Sequence, residues 1–550
     1  MTTTAPTTMR RRNLDPSQTS KMAPRVILPR ALMLALGQAT PARAKPCVPK
    51  VVKKLLSWGN MPSDLLLEVA VYLRDDRYAM LSITGVCTYW RRVFIECPLN
   101  WTQVSTKCPL RLFKVWLQRS KNVPVDAEIC NLPNGLVPLL RSKDTPFRSL
   151  RCTLNKANFT TLFGGLTKVS PNLERLELYR RNADQGSSIN RLRIISGSMP
   201  SLKDLRLASI DLTPEILKLR HLVNLELAHP FASMTAILDL VVSNPLLETV
   251  AFSIKCSDET DPRPEGAVII PRLRTLKFDF YSPLPLLRKL SIPRGASVSF
   301  LLWAEMEEYE VILPESLEHL QNLSEVKNLF IQRRSGYCIE ASGPSGEVKF
   351  EGKNEPYQEL ERLPLQSVEK FRFAESQQFI DVAGKGQDLG WLSKVFERSR
   401  NLRTFVIDSC GLATMKDIFR LLSPQPNLPP GGPLRLEGLP CHSLSTIILE
   451  VPHDGSWSDW AVPFLKMLRD RAAAGLRLQK LRIVSGPQAQ IPRQGEEQMA
   501  NLVPCVEFKY KDKDGVVDEG RLRELFEWQH DRDGFEGGDL RVASASVNHA

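Results

Sequence analysis

Three kinds of spacing in this chain could, on residue type alone, support chemistry. Gly384-x-Gly386-x-x-x-Gly390 lies between a strand-like run, Phe379 to Val382, and a helix-like run from Trp391. Glycines so placed let backbone amides approach a phosphate at the start of a helix. The spacing is one residue longer than the dinucleotide fingerprint and no further βαβ unit accompanies it, so a tight turn before a helix accounts for these glycines. Asp512-x-Asp514-Gly515 imitates part of a calcium loop. Its first ligand position falls on Tyr510 and its twelfth on Arg521, where a carboxylate is required. The seven histidines include no His-x-x-x-His and no cysteine pair nearby, so no zinc set is predicted. His221 and His229 flank an apolar repeat unit and read as surface or turn residues. Gly-x-Ser-x-Gly and Walker-type loops are missing too. Catalysis needs converging groups, so the expectation is a non-enzyme without catalytic, cofactor-binding or metal-binding residues, one that works through surfaces.

Composition agrees with a globular chain: 43% hydrophobic and 24% charged residues. The formal charge of +12 suggests nucleic acid until it is located. Residues 1 to 60 hold eleven Lys or Arg against the single Asp15, a net of +10, which leaves +2 for the other 490 residues. A basic groove along the fold, and with it a nucleic-acid partner, is therefore not expected. Eleven cysteines run from Cys47 to Cys505 without a Cys-x-x-Cys pair, a usage that fits a reducing compartment. No run of about 18 apolar residues is present, so no membrane span is predicted.

Residues Met61 to Trp101 form a self-contained pattern of three short amphipathic helices. The first opens at Met61-Pro62-Ser63-Asp64, where Pro62 suits a first turn that needs no amide donor and Asp64 favours the positive end of the helix dipole. Its apolar stripe is Leu65, Val69 and Leu73, widened by Leu66. A second carries Met80, Leu81 and Ile83. The third places Val86, Trp90, Val93 and Phe94 on one face before Pro98 stops it. Fewer than about 40 residues rarely form a stable core alone, so this block must lean on something.

In the order Met61-Pro62-Ser63-Asp64-Leu65, Leu73, Val86-Cys87-Thr88-Tyr89-Trp90-Arg91 and Pro98-Leu99-Asn100-Trp101, the block resembles the F-box, in its fungal flavour. Met61 stands where the family opens with Leu, and Tyr78-Ala79 where it has Asp-Leu. The resemblance implies a Skp-type adaptor that covers the apolar face and tethers the chain to a cullin scaffold carrying ubiquitin-transfer machinery. By that resemblance the adaptor surface maps onto Met61, Pro62, Leu65, Val69, Leu73, Met80, Val86, Cys87, Trp90 and Val93.

From Phe147 a second pattern recurs: apolar, two variable positions, apolar, one variable position, apolar. Clear copies are Leu173/Leu176/Leu178, Leu202/Leu205/Leu207, Leu222/Leu225/Leu227 and Leu273/Leu276/Phe278. Others are Val326/Leu329/Ile331, Val368/Phe371/Phe373, Leu402/Phe405/Ile407, Leu444/Ile447/Leu449 and Leu478/Leu481/Ile483. Weaker copies are Phe147/Leu150/Cys152, Leu247/Val250/Phe252 and Val298/Leu301/Trp303. Starts from 147 to 326 lie 20 to 29 residues apart, the leucine-rich-repeat period. The last two apolar positions, two apart, point to one face of a short strand. Cys410 with Leu412, and Asn155 with Ala157, extend the match to the residue that closes the turn. Helices are predicted over Met234 to Val242 and Met415 to Leu422, a hairpin over Tyr337 to Phe350, and a Pro/Gly loop over Pro424 to Pro433.

The predicted organisation is α/β: a basic disordered tail at 1–59, a three-helix F-box module at 60–104, an irregular leucine-rich-repeat solenoid at 105–508 and a charged tail at 509–550. Parallel strands would line the concave face and helices the convex one, with a helix at Arg521 to Trp528 as a cap. The function this implies is substrate reception in a Skp/cullin/F-box ubiquitin ligase, cytoplasmic and/or nuclear, with a protein target on the repeats. Two alternatives stand beside it: a leucine-rich-repeat scaffold outside any ligase, with 61–101 as a mere cap, and a mitochondrial protein whose first 60 residues are a transit sequence.

Overall fold

The computed structural model describes residues 61–73, 77–130, 147–154, 172–180, 199–210, 212, 214, 216–229, 232–253, 262–279, 283–302, 312–333, 336–352, 357–375, 389–424, 441–451, 456–486 and 491–510. The strand-like run at 379–382, Gly384, Gly386, Trp303, most of the 424–433 loop, the Asp512 motif and the 521–528 helix lie outside the described residues. The chain divides into two compact units, Met1–Glu68 and Val69–Ala550.

Helix α1, Ser63–Leu73, begins as sequence chemistry requires: the Leu66 amide donates to the Pro62 carbonyl at 3.1 Å, and Asp64 sits in the first turn. Helices α2, Arg77–Ile83, and α3, Thr88–Glu96, follow. Next come α4, Leu110–Ser120; α5, Met234–Val242; α6, Leu284–Lys289; α7, Tyr357–Arg362; and α8, Gly390–Arg398. The series ends with α9, Leu412–Leu422; α10, Trp457–Ala473; and α11, Arg493–Leu502.

Beside these eleven helices, counted among the described residues, runs one mostly parallel sheet of seventeen strands. Its first half comprises β1, Gln103–Ser105; β2, Val125–Ile129; β3, Phe147–Leu154; β4, Arg175–Arg180; β5, Asp204–Ala208; β6, Asn224–Ala228; and β7, Thr249–Ser253. Strands β8, Val268–Ile269, and β10, Leu290–Ser291, form a separate parallel pair, while β9, Thr275–Asp279, and β11, Ser297–Leu302, continue the large sheet. The remainder is β12, Asn328–Arg333; β13, Tyr337–Gly343; β14, Gly346–Gly352; β15, Lys370–Glu375; β16, Thr404–Asp408; β17, Thr446–Glu450; β18, Lys480–Ser485; and β19, Cys505–Tyr510.

The repeat pattern maps onto this sheet in register. Leu150, Leu176, Leu205, Leu225, Val250 and Leu276 stand opposite one another on successive strands, as do Cys152, Leu178, Leu207, Leu227, Phe252 and Phe278. Both rows are buried, because side chains two apart along a strand share a face. The predicted hairpin is β13 and β14, and it is inserted into the sheet. Strand β14 runs parallel to β11, and β13 is antiparallel to both β14 and β12. The insertion keeps the core continuous: Val348 pairs with Val298 and Phe350 with Phe300. A stack of Phe252, Phe278, Phe300 and Phe350, with centroids 5.8, 5.2 and 5.0 Å apart, crosses it. The hairpin turn needs Gly346, whose φ is +136° and whose added Cβ would stand 2.5 Å from the Ala296 carbonyl oxygen.

Register also corrects the repeat assignment in one place. The unit read as Val298/Leu301/Trp303 is out of frame: Val298 pairs with Leu276 and Phe300 with Phe278, and Leu301 is exposed. The run Val-Ser-Phe-Leu-Leu offers two frames to a spacing rule, and strand alternation admits one. Three further strands of the large sheet escaped the pattern, β1, β2 and β19. Val104 pairs with Ala127 and Ala127 with Leu150, which puts Trp101, three residues before Val104, where Phe147 stands before Leu150. At the other end Val503/Val506/Phe508 repeats the motif on β19.

Candidate functional site

The Cys-x-x-Trp spacing of the N-terminal helices has a local cause. Cys87 is the extended N-cap of α3, and its Sγ accepts the Trp90 amide at 3.4 Å, satisfying a first-turn donor that has no helical partner. Trp90 then packs against Phe94, centroids 6.3 Å apart, and both are buried. The helix is fastened at its far end. Trp101 Nε1 donates to the Phe94 carbonyl at 3.0 Å, and Asn100 Nδ2 donates to the same oxygen at 3.2 Å.

The ten residues assigned to the adaptor surface separate by exposure. Met80 and Trp90 are buried; Met61, Val69, Leu73, Cys87 and Val93 are half-buried; Pro62, Leu65 and Val86 are exposed, Leu65 at 55% and Val86 at 54%. Three further apolar side chains outside the assigned set are exposed: Val71 and Tyr72, which the sequence reading passed over, and Leu99 of the closing Pro98-Leu99-Asn100-Trp101 motif. Tyr72 follows Leu65 by seven residues on one helix, so the helical period carried that signal.

A second site lies on the first strands of the sheet, on the face opposite the apolar rows. It is an open groove of about 600 Å³ whose lining includes Gln103, Asp126, Glu128, Arg151, Arg175 and Glu177. The outward positions alternate in sign from strand to strand: Glu128, Arg151, Glu177, Arg206 and Glu226 lie in one register row. Glu177 sits between Arg151 at 3.4 Å and Arg206 at 3.9 Å, and Arg206 reaches Glu226 at 3.4 Å. In the neighbouring row Arg175 Nε donates to Asp204 at 2.9 Å. Arg148 pairs with Asp126 through both Nε and Nη2. Between Val125 and Asp126 the register slips by one residue on β3, and the extra residue is Arg148, which the bulge re-aims onto that carboxylate. Lys107 holds Glu128 at 2.7 Å, and Ser105 Oγ donates to the same group at 2.9 Å. Tyr179 donates to Glu177 at 3.2 Å beneath the Arg151 guanidinium. Burial and the Glu177 charge push its phenol above the usual value, so it remains a donor at neutral pH.

Among the described residues no three or more His, Cys, Asp or Glu side chains stand together to hold a metal ion. Burial and then Glu340 push the Cys338 thiol up to about 12, and burial does the same to Cys441, so neither is ionised at neutral pH. Of the glycine run only Gly390 is described, and it starts α8. No described helix is long and apolar enough to cross a membrane. Compared with models of protein families and with curated proteins, the sequence finds no match in either.

Proposed function

We propose that this chain is the substrate receptor of a Skp/cullin/F-box ubiquitin ligase, docking the adaptor through an F-box at residues 61–101 and holding its target on a leucine-rich-repeat solenoid. The observation that carries the reading is the state of the motif residues. Those that shape α3, Cys87 and Trp90, are committed to its cap and packing, while Pro62, Leu65 and Val86 leave apolar surface at motif positions. Exposed apolar groups at ordered positions suit a helical visitor better than a solvent-facing end cap. The mostly parallel sheet, with a strand at the copies of a pattern spaced 20 to 29 residues up to Val326 and 34 to 42 beyond it, supports the repeat part. Such a receptor contributes no bond chemistry. It raises the effective concentration of target beside the transfer machinery.

The test is co-purification of a recombinant Skp-type adaptor with the full chain and with Leu65→Asp and Val86→Asp variants. Both positions are exposed, so melting should be unchanged while adaptor recovery falls at least tenfold, the worth of burying one charge at an apolar contact. Undiminished recovery overturns the proposal. A scaffold acting outside any ligase is the rival. What favours it is that Trp101, last residue of the motif, is also part of the sheet's continuous core; it expects no adaptor binding by the unmodified chain.

A further inference from the structure

The two ends of the large sheet are finished differently. At the first, Trp101 and Val104 are 1% and 2% exposed, and Trp116 of α4 lies 6.1 Å from the Trp101 ring. At the last, β19 makes its one ladder among the described strands with β18. On the two strands before it, the inward pairs Ile447/Leu449 and Leu481/Ile483 are no more than 1% exposed. Their counterparts on β19, Val506 and Phe508, are only half-buried, and Cys505 is exposed. The apolar rows therefore end at an open edge, where the backbone donors and acceptors on one side of the strand have no ladder partner among the described residues. A solenoid that ends on an apolar row exposes surface that a further layer would bury.

The outward residues of β19 carry opposite charges two positions apart. Glu507 stands opposite Arg482 and holds both Arg482 and Lys480 at 2.7 Å. Lys509 stands opposite Val484 and joins no ion pair among the described residues. Such a strand is complementary to itself. When two copies meet antiparallel about a two-fold axis, directly opposite residues share a face, so a register that keeps both cores on one side of the sheet sets one residue opposite itself. With Phe508 on the axis, Glu507 of each copy meets Lys509 of the other. The adjoining registers set Glu507 against Glu507 or Lys509 against Lys509, and like charges directly opposite are unfavourable. We propose that β19 is a dimer edge, two copies of this chain pairing it antiparallel so that Phe508 meets Phe508 and Glu507 meets Lys509 across a two-fold axis. The sheet then runs on from one copy into the other, and the half-open apolar row is closed. The assignment stands apart from the ligase reading, since it involves neither α1 to α3 nor a target.

The experiment measures the mass of the full chain by light scattering over a roughly hundredfold dilution series. A dimer that dissociates on dilution is expected. Lys509→Glu, at a side chain without an ion-pair partner in the single copy, should leave melting unchanged. It should raise the dissociation constant about tenfold or more, because symmetry turns two attractive pairs into two repulsive ones. Phe508→Cys tests the register. The two-fold axis brings its thiols within disulfide reach, so oxidation should link the variant into a covalent dimer. The native Cys505, roughly 20 Å from its counterpart along the paired strands, should leave the unmodified chain unlinked. A monomer at every concentration, a dimer indifferent to Lys509→Glu, or linking through Cys505 as readily as through Phe508→Cys overturns the proposal. So does a chain that dimerises only once residues 511–550 are removed, which would assign the edge to that segment. Should Phe508→Cys fail to fold, the Lys509→Glu dilution series decides alone.

Discussion

Replacing Trp101 tests whether one side chain joins the end of α3 to the start of the sheet. It is 1% exposed, donates Nε1–H to the Phe94 carbonyl at 3.0 Å, lies 6.1 Å from Trp116 and carries the Arg119 guanidinium 4.5 Å above its ring. Trp101→Ala removes the ring and leaves a cavity, a change that costs about 3–5 kcal/mol in a packed core. Trp101→Phe keeps most of the volume and gives up one hydrogen bond and part of the cation–π contact. Asn100 still serves the Phe94 oxygen at 3.2 Å, so the expected cost is only about 1–2 kcal/mol. The order wild type, Phe, Ala, with the second step the larger, is the signature of a packing keystone that also donates a hydrogen bond. Urea unfolding of the full chain gives the free energies, and amide exchange at Val104 and Phe94 shows whether the loss is local to this junction. An Ala variant within about 1 kcal/mol of wild type, the range of ordinary surface changes, would refute the reasoning. So would a loss equal in both variants, because that would assign the whole effect to the hydrogen bond.

Two further outcomes follow from carboxyl groups with little exposure to water. Glu359 on α7 is fully buried and accepts the Ile312 amide at 2.6 Å and the Leu313 amide at 2.8 Å, one on each carboxylate oxygen. Glu359→Gln leaves one of these amides facing a donor and should cost about 1–3 kcal/mol, and Glu359→Ala about twice that; unchanged exchange of both amides in the Ala variant would sink this account. Burial pushes the Asp408 carboxyl up, but the Arg372 guanidinium and the hydrogen bonds around it outweigh burial and hold it below the usual range. A depressed folded value means that the contribution is full above the unfolded value, about 3.9, and fades as pH falls through the lower folded one. The stability gap between wild type and Asp408→Asn should therefore be flat above about pH 5 and shrink below pH 4, measured as urea midpoints across that range; a gap constant to the lowest pH would refute it.

Local spacing made the inward half of the sheet legible. Leucine at two-residue separation has one way to be buried on a strand, so Leu176/Leu178, Leu205/Leu207 and Leu225/Leu227 announced their strands and faces. The hairpin was legible for a different reason: Gly343-Pro344-Ser345-Gly346 between two β-rich runs leaves little choice but a turn, and Gly343 pairs with Gly346 in the ladder. What was missed had weaker apolar contrast. Strand β2 reads Val-Asp-Ala-Glu-Ile, and its Ala127 is too small to register as a leucine position, although it fills the same row. Strand β1 is three residues long, and its anchor, Trp101, had already been claimed by the helical pattern. The helix residues divided along the same line. Periodicity picked the apolar stripe, but whether Trp90 or Leu65 would be left open depends on which neighbours reach it, and spacing does not encode that.

The charged groove was illegible for a deeper reason. Glu128, Arg151, Glu177, Arg206 and Glu226 lie 20 to 29 residues apart, each flanked by apolar neighbours, and singly each is only the polar half of an alternating strand. They become a row when the register of five strands is fixed. That register is set by the inward leucines, since a slip of one residue would bury every charge and expose every leucine. Packing of one face thus dictates the arrangement of the other. The alternation of sign then decides how deeply each group sits: a carboxylate between two guanidinium groups is satisfied at short reach, as Glu177 is by Arg151 and Arg206. The longer arginine stems carry their charge outward past it. Exchanging the signs by Arg151→Glu with Glu177→Arg keeps the total charge but sets like charges opposite each other at 128/151 and at 177/206, so the double variant should unfold at a lower urea midpoint than wild type, and an unchanged midpoint would refute this account of the row.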